Sequence, residues 1–360
     1  MKIIKYNAIC NLGSDIEEIF AKAIKGEAGK FEQRGFARLG VVDFPLPEIS
    51  ESDYNLRCNR LLLKALEPLC IEELDREKTA IVTATSNSGV DEYEISGNPK
   101  HYQIGNPAEF LHGHFGFRNF YTSVSTACSS GIKAFATAAE LLEAGIAETV
   151  IVAGCDAISK VPVYGFHALK VLGNVPSNPF SKNRKWINIG EGAAAFVVKK
   201  EGNGIEVAGI GETTDFYHST TPDPEAVEPE RAIRLALGNL NPEEIDYINL
   251  HGTGTIANDL MEARAVYNVF GDKVPASSTK PLTGHCLGAA ASIETALCCK
   301  IIQAGVSKAY PHIYDGEYDD TLPVIKLADK KPLHKPVKTC LCTSFGFGGT
   351  NCAIILRESY

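Results

Sequence analysis

Apolar positions along this chain follow two rhythms that change over at definite places. From Asn119 to Thr126 apolar and small polar side chains alternate with the period of two of a strand, and directly afterwards Ile132, Phe135, Ala136, Ala139 and Leu142 recur at helical spacing. The helix closes at Gly145, and the largely apolar run from Glu148 to Gly154 reads as a buried strand, so this stretch predicts a β-α-β unit with parallel strands. Upstream, Lys2 to Cys10 reads as an edge strand and Asp15 to Lys25 as an amphipathic helix closed by Gly26. Leu56 to Leu69 reads as a helix with Leu61, Leu62, Ala65 and Leu69 inward, and Lys78 to Thr85 as a strand. The Gly- and Pro-punctuated stretches at 34–50 and 86–107 read as loops, the second placed to cover a pocket.

The alternation then returns. A strand over Asp246 to Leu250, a helix from Asp259 to Phe270, a strand near Pro275 and a helix from Gly288 to Gly305 restate it. Both long helices end in Ala-Gly, at Ala144-Gly145 and Ala304-Gly305, 160 residues apart. A Gly-rich turn feeds an apolar strand near the end of each half, over Ile189 to Val198 and over Phe345 to Ile355. The pattern predicts an α/β protein of two similar βα halves, residues 1–205 and 206–360, with a Thr-, Pro- and acid-rich surface excursion at 212–230.

Composition narrows the function classes. With 360 residues, 44% of them hydrophobic, the chain can bury a large core in two packed halves. A net charge of −9 and a pI near 5.6 argue against broad contact with nucleic acid or anionic lipid. The eleven cysteines include no C-x-x-C pair and no signal peptide is evident, so they read as reduced thiols of a cytoplasmic protein, not as a disulfide or zinc framework. No apolar run reaches the roughly 18 to 20 residues of a membrane span. The longest, around Thr149 to Ile158, is broken by Gly154 and Asp156.

Candidate chemistry sits where the rhythms change. Cys128 falls at the strand-to-helix turn, among small Ala127, Ser129, Ser130 and Gly131. Free N–H groups and the positive end of the following helix favour a thiolate there, drawing the thiol down from about 8.5 toward neutrality. On the turn alone, a buried inert cysteine is the alternative. His251-Gly-Thr-Gly-Thr255 places a histidine and two hydroxyls at the end of the next half's strand. Ser278 to Ala291 sets His285 between Gly284 and Gly288, with Lys280 before it and Glu294 nine residues after it, which suggests a polar network around one ring. Phe345-Gly-Phe-Gly-Gly349 is either a glycine-rich hairpin or a backbone able to offer an N–H to an oxyanion.

In this order, Thr126-Ala-Cys-Ser-Ser-Gly131, Asn188-Ile-Gly-Glu-Gly192, His251 to Thr255, Lys280 to Ala290 and Ser344 to Asn351 resemble the signatures of β-ketoacyl-acyl-carrier-protein synthases. The two-histidine arrangement resembles the elongating KAS I/II type; the initiating type carries Asn where this chain has His285. The resemblance spans nearly the whole chain and implies the thiolase fold, two βα halves stacked as a five-layer αβαβα sandwich. It implies decarboxylative condensation of an acyl thioester with malonyl-acyl-carrier protein, in fatty acid, polyketide or aryl polyene synthesis. Cys128 would carry the acyl group, with its own N–H and that of Phe347 as oxyanion donors. His251 and His285 would stabilise the malonyl enolate, and Lys280 and Glu294 would hold His285. Thr253 and Thr255 would bind the phosphopantetheine arm, Phe345 would line the substrate site, and Phe347 would also gate the acyl pocket. Asp259 and Glu262 would be structural supports. No metal or redox cofactor is implied, since phosphopantetheine arrives on the carrier protein.

This chain departs from the family pattern at several points. It is shorter than the family leads one to expect, in the loops at 30–55, 86–107 and 210–230; Ala291 replaces a glycine, and Pro179-Phe180-Ser181 replaces Pro-Phe-Asp. The expected partners are an acyl carrier protein and a second chain, as a homodimer or as a heterodimer with a related ketosynthase or chain-length factor. Carrier proteins are acidic, and Arg57, Arg60 and Lys64 share one helix face that would dock one, with Lys182, Arg184 and Lys185 as the other basic cluster. Two other readings stay open: a non-catalytic chain-length-factor-like partner, which would usually lack the cysteine, and a thiol-dependent acyl hydrolase, which would release free acid.

Overall fold

The computed structural model describes residues 1–359. Its first half carries β1 (Lys2–Cys10), α1 (Ile16–Ala23), β2 (Phe31–Arg34), β3 (Ala37–Gly40), α2 (Arg57–Leu66), β4 (Thr79–Ala84), α3 (Val90–Ser96) and α4 (Pro99–Tyr102). There follow α5 (Asn106–Phe115), β5 (Tyr121–Val124), α6 (Ser130–Glu143), β6 (Thr149–Asp156), α7 (Lys160–Ala168), β7 (Ile189–Gly190) and β8 (Gly192–Lys199). The second half carries β9 (Ile205–Thr214), α8 (Val227–Leu237), β10 (Tyr247–Asn249), α9 (Ile256–Phe270) and β11 (Ala276–Ser277). It ends with α10 (Lys280–Thr283), α11 (Ala290–Ala304), β12 (Thr339–Gly346) and β13 (Thr350–Arg357).

Ten of these strands form one sheet in the order β11-β10-β12-β13-β9-β1-β8-β6-β4-β5. Counted outward from the β1–β9 contact, each half lays down its first, fifth, fourth, second and third strand, so the two halves repeat one topology. Helices α6 and α11 pack against each other and against strands of both halves, α2 and α5 cover the far side of the first half, and α8 and α9 cover that of the second. The result is five layers, α-β-α-β-α.

Strand composition accounts for the layering, because strands covered on both faces read as continuous apolar runs whose alternate residues enter different cores. On β4, Ala80, Val82 and Ala84 join the central core while Ile81 joins the outer one. On β12, Cys340 and Cys342 point to the centre and Leu341 outward. Full burial of each Ile, Leu or Val adds about 1.5–3 kcal/mol. Apolar Leu287–Ala304 is long enough to cross a membrane but is 83% buried, as a core helix is. All eleven cysteines are free thiols.

The sequence reading of the fold is corrected in four places, the first being strand β3 within the stretch 34–50 that reads as a loop. β1 lies at the centre of the sheet, not at an edge; its lysines are answered locally, Lys2 by Glu206 on β9 and Lys5 by the Leu69 carbonyl. The stretch 86–107 folds into α3, α4 and the start of α5 and does not line the main cavity. The excursion at 212–230 does line it, being tied there by Gly348 N–H to the Ser219 carbonyl and Asp215 N–H to the Gly349 carbonyl.

Candidate active site

β5 ends at Val124, and the chain turns through Thr126 and Ala127 into α6, which leaves Cys128 just before the helix's first turn. Ala127 is held at φ +51°, a left-handed conformation that costs a residue with a Cβ about 1 kcal/mol. Hydroxyls brace the turn: Ser129 Oγ donates to the Thr126 carbonyl at 2.7 Å and Ser130 Oγ to the Ala127 carbonyl at 2.6 Å. From β12, Ser344 Oγ donates to the Cys128 carbonyl at 2.8 Å.

His285 Nε2 lies 3.0 Å from Cys128 Sγ, and the Phe347 N–H also points at the sulfur. Burial pushes the thiol up to about 12, against the Lys280 charge and the Phe347 N–H, which pull it down. The thiol thus lies above its ordinary value, which corrects the expectation that the helix end draws it down toward neutrality. Taking the sulfur out of water outweighs the helix end.

The two imidazoles are oriented by separate devices. His285 N–H donates to the Asn188 carbonyl at 2.7 Å and Gly190 N–H to the His285 carbonyl at 3.0 Å, so the Asn188 to Gly192 motif clamps this backbone. The approach needs glycine on both sides: a Cβ on Gly190 would meet the Thr283 carbonyl oxygen at 2.4 Å, and one on Gly284 would meet Gly190 at 2.9 Å. Leu287 N–H then donates to His285 Nδ1 at 3.2 Å. His251, after β10, has its N–H accepted by Glu262 of α9 at 2.7 Å; the same carboxylate takes Gly252 N–H at 2.6 Å and the Thr343 hydroxyl at 2.8 Å. Lys280 donates to His251 Nδ1 at 3.3 Å and pairs with Glu294 at 2.5 Å. This corrects the expectation that Lys280 and Glu294 hold His285. They hold His251, and a backbone N–H orients His285.

With Nδ1 of both rings accepting, each neutral imidazole carries its proton on Nε2. Burial holds both histidines well below their usual value, with the Lys280 charge acting in the same direction. Their rings stand edge to face at 5.2 Å, and Cys128, His251 and His285 bring a sulfur and two ring nitrogens within 4.8 Å of one another.

A cavity of about 390 Å³ opens onto these groups. Thr253 and Thr255 line it with hydroxyls 3.0 Å apart, and Phe345 stands edge-on to His251 at 5.9 Å. Phe347, also on the cavity and 38% exposed, leans on Phe166 at 5.4 Å. Asp259 accepts from Phe180 N–H at 2.8 Å and Gly254 N–H at 3.2 Å, and lies 3.7 Å from buried Arg184. Burial pushes the Asp259 and Glu262 carboxyls up to about 6 and about 7.

The side chains of the anticipated docking face all have partners within the chain. Arg57 forks onto Glu191 at 2.6 and 2.7 Å, Arg60 donates to the Pro47 carbonyl at 2.8 Å, and Lys64 pairs with Glu67 at 2.6 Å. Arg184 of the other basic cluster is buried against Asp259 and Asp319. Charges three and four apart on a helix share a face, but spacing does not reveal the acids that meet them.

Two buried acids escaped the sequence reading as site residues. Glu191 answers Arg57 and takes Val42 N–H at 2.9 Å. Asp156 accepts from Thr85 Oγ1, Ser86 N–H and Oγ, Asn87 N–H and, at 2.6 Å, Gly288 N–H, tying the end of β6 to the turn after His285. Its signal was an acid closing an apolar strand.

Two family models match the chain: Beta-ketoacyl synthase, N-terminal domain, over residues 64–203, and Beta-ketoacyl synthase, C-terminal domain, over residues 205–313. A chain from the solved complex of a ketosynthase (ApeO) with its chain length factor (ApeC) from Xenorhabdus doucetiae is 33% identical. It superposes with a TM-score of 0.93 over 99% of this chain and 98% of that one. The chain belongs to the β-ketoacyl synthase family. Its fold is the thiolase-like α/β fold of such ketosynthases. Among curated relatives, it is similar to Nodulation protein E of Rhizobium leguminosarum bv. trifolii, 36% identical over 259 residues, which are 68% of this chain and 63% of the relative. It is similar also to 3-oxoacyl-[acyl-carrier-protein] synthase 2 of Coxiella burnetii (strain RSA 493 / Nine Mile phase I), 35% identical over 258 residues, 66% of this chain and 62% of the relative. The match thus spans somewhat less than two thirds of those relatives.

Neither departure from the family motifs disturbs this site. Ala291 is fully buried on α11, and Ser181 donates to Asp315 at 3.1 Å while Phe180 keeps its bond to Asp259. Lys280→Met is expected to destabilise the protein by about 3–5 kcal/mol, because it strands the Glu294 carboxylate in the core. Thermal denaturation should show the fall, and adding Glu294→Gln should restore most of the stability. It should not restore activity, since His251 Nδ1 still lacks its donor. Recovery of both together would show that the pair serves packing alone.

Proposed function

We propose that the protein joins an acyl thioester to malonyl-acyl-carrier protein by decarboxylative Claisen condensation, giving a 3-oxoacyl-acyl-carrier protein. The observation that carries this is the convergence of two neutral Nε2–H donors on the space beside one cysteine sulfur. In the first half-reaction Cys128 sulfur attacks the incoming thioester carbonyl. The oxyanion meets the Phe347 and Cys128 N–H groups, and the thiol proton ends on the departing pantetheine thiol. His285 does not serve as the base, because a proton on Nδ1 would face the Leu287 N–H. In the second half-reaction the malonyl carboxylate leaves as carbon dioxide and its electron pair moves into a thioester enolate held by His251 and His285. The enolate carbon attacks the acyl-Cys128 carbonyl and the sulfur leaves, to be reprotonated from solvent. The sequence is redox-neutral and calls on no further cofactor; phosphopantetheine comes with the substrate.

Incubation with malonyl-carrier protein and acyl donors of several lengths tests this. The expected product is a 3-oxoacyl chain two carbons longer than the donor; free acid alone would identify a hydrolase. Both imidazoles remain neutral where an exposed histidine, at about pH 6.5, is half protonated. The imidazoles therefore add no acid limb of their own; a limb between about pH 7 and 6 is expected only from the Glu262 and Asp259 carboxyls, and one that survives Glu262→Gln with Asp259→Asn would contradict the buried, neutral donors.

A second chain of the same fold is the partner this reading supports, alongside the carrier protein. Edge strand β11 is covered, since Ala276 pairs with Lys326 and Ala328, whereas Tyr121 of edge strand β5 and Phe120 just before it are 42% and 48% exposed. An apolar edge left open invites a partner. Native mass spectrometry of the isolated protein separates a homodimer from a chain that waits for a different subunit. The eleven free thiols support a cytoplasmic setting.

A further inference from the structure

Two lysines line the active-site cavity, Lys170 and Lys185, and both are exposed, in contrast to the buried Cys128, His251 and His285. The chain brings them together deliberately. Leu172 and Ile187 form a parallel bridge, with Ile187 N–H on the Val171 carbonyl at 2.8 Å and Gly173 N–H on the Ile187 carbonyl at 3.3 Å. Lys170 and Lys185 each stand two residues before the bridged pair. Most lysines of this acidic protein meet a carboxylate. Neither side chain forms an ion pair or hydrogen bond among the described residues; Lys185 only approaches the Trp186 ring at 5.8 Å. Asp215, the one carboxylate on the cavity among the described residues, is buried against Gly349 and answers neither. Two cations on one cavity with no acid to answer them favour an anion in it.

We propose that Lys170 and Lys185 form an anion site at the cavity rim for the phosphate of the phosphopantetheine arm, seating the arm as its thioester descends past Thr253 and Thr255 to Cys128. This rests on the proposed function for the identity of the arm. It replaces the α2 face as the place where negative charge is read.

The test is the rate at which Cys128 is alkylated by a chloroacetyl-pantetheine and by its 4′-phosphate, in the wild type and in Lys170→Ser/Lys185→Ser, followed by mass spectrometry. It needs no condensation activity, so it stands or falls separately from the proposed reaction. The phosphate should raise the wild-type rate at least about tenfold at low salt, and less as salt rises. The double variant should lose that advantage and keep its rate with the unphosphorylated probe. A phosphate advantage that survives the double substitution overturns the assignment. So does an equal loss with both probes, which would make the lysines supports of the rim. A variant defect seen only with malonyl-carrier protein, and not between the two probes, would place the lysines against the carrier's acidic surface and likewise overturn it.

Discussion

Cys128→Ala is expected to abolish formation of a covalent acyl-enzyme and to cut condensation by about 10⁴-fold or more, the scale on which loss of a catalytic nucleophile is felt. The fold should survive. Ala127 and Gly131 already show that the turn accepts small side chains, and loss of one buried sulfur costs about 1 kcal/mol. Malonyl decarboxylation should persist in this variant, because the Nε2–H donors of His251 and His285 do not depend on the sulfur. Intact-protein mass spectrometry after incubation with acyl-carrier protein reads the first effect and carbon dioxide release the second. Of the eleven cysteines only Cys128 lines the cavity among the described residues. Acylation mapped to any other cysteine would end the assignment.

His251→Ala is expected to lower malonyl decarboxylation by about 10²–10³-fold, the usual cost of one donor lost from a preorganised oxyanion site, with a much smaller effect on acylation of Cys128. His285→Ala should lower decarboxylation as much but should also slow acylation, because His285 alone of the pair touches Sγ, at 3.0 Å. Single-turnover acylation and steady-state decarboxylation, measured on both variants with circular dichroism as a check on folding, separate these outcomes. If the two substitutions damage the two half-reactions in the same proportion, the histidines do not divide the work as their contacts suggest.

Much of the architecture was legible because local periodicity carries it. The change from period two to helical spacing at Cys128 located the strand-to-helix turn, since the rhythm depends only on which face each residue presents to a core. The Ala-Gly helix endings and the Gly-rich turns pointed to the internal repeat, and the repeated strand order bears that out. The candidate residues Cys128, His251 and His285 were visible as chemistry-bearing side chains at strand ends and glycine-bounded turns, and the fold brings them together from three separate turns.

What the chain could not disclose alone is whatever depends on distant partners. Lys280 and His285 are five residues apart, yet the lysine reaches His251 across the site, because α10 and the end of β10 meet only through the folded sheet. Arg57, Arg60 and Lys64 share a helix face by spacing, but spacing did not show that Glu191, 134 residues on, and the Pro47 carbonyl meet two of them. Lys170 and Lys185 look ordinary in sequence; the parallel bridge at Leu172 and Ile187 is what puts them on one rim. The protonation of Cys128 was misjudged for the same reason. The helix end is a local feature, and the burial that outweighs it is assembled by both halves. Periodicity therefore determined the elements and the reactive residue types, while tertiary packing decided which charges are answered, which imidazole each support holds and how much water each group loses.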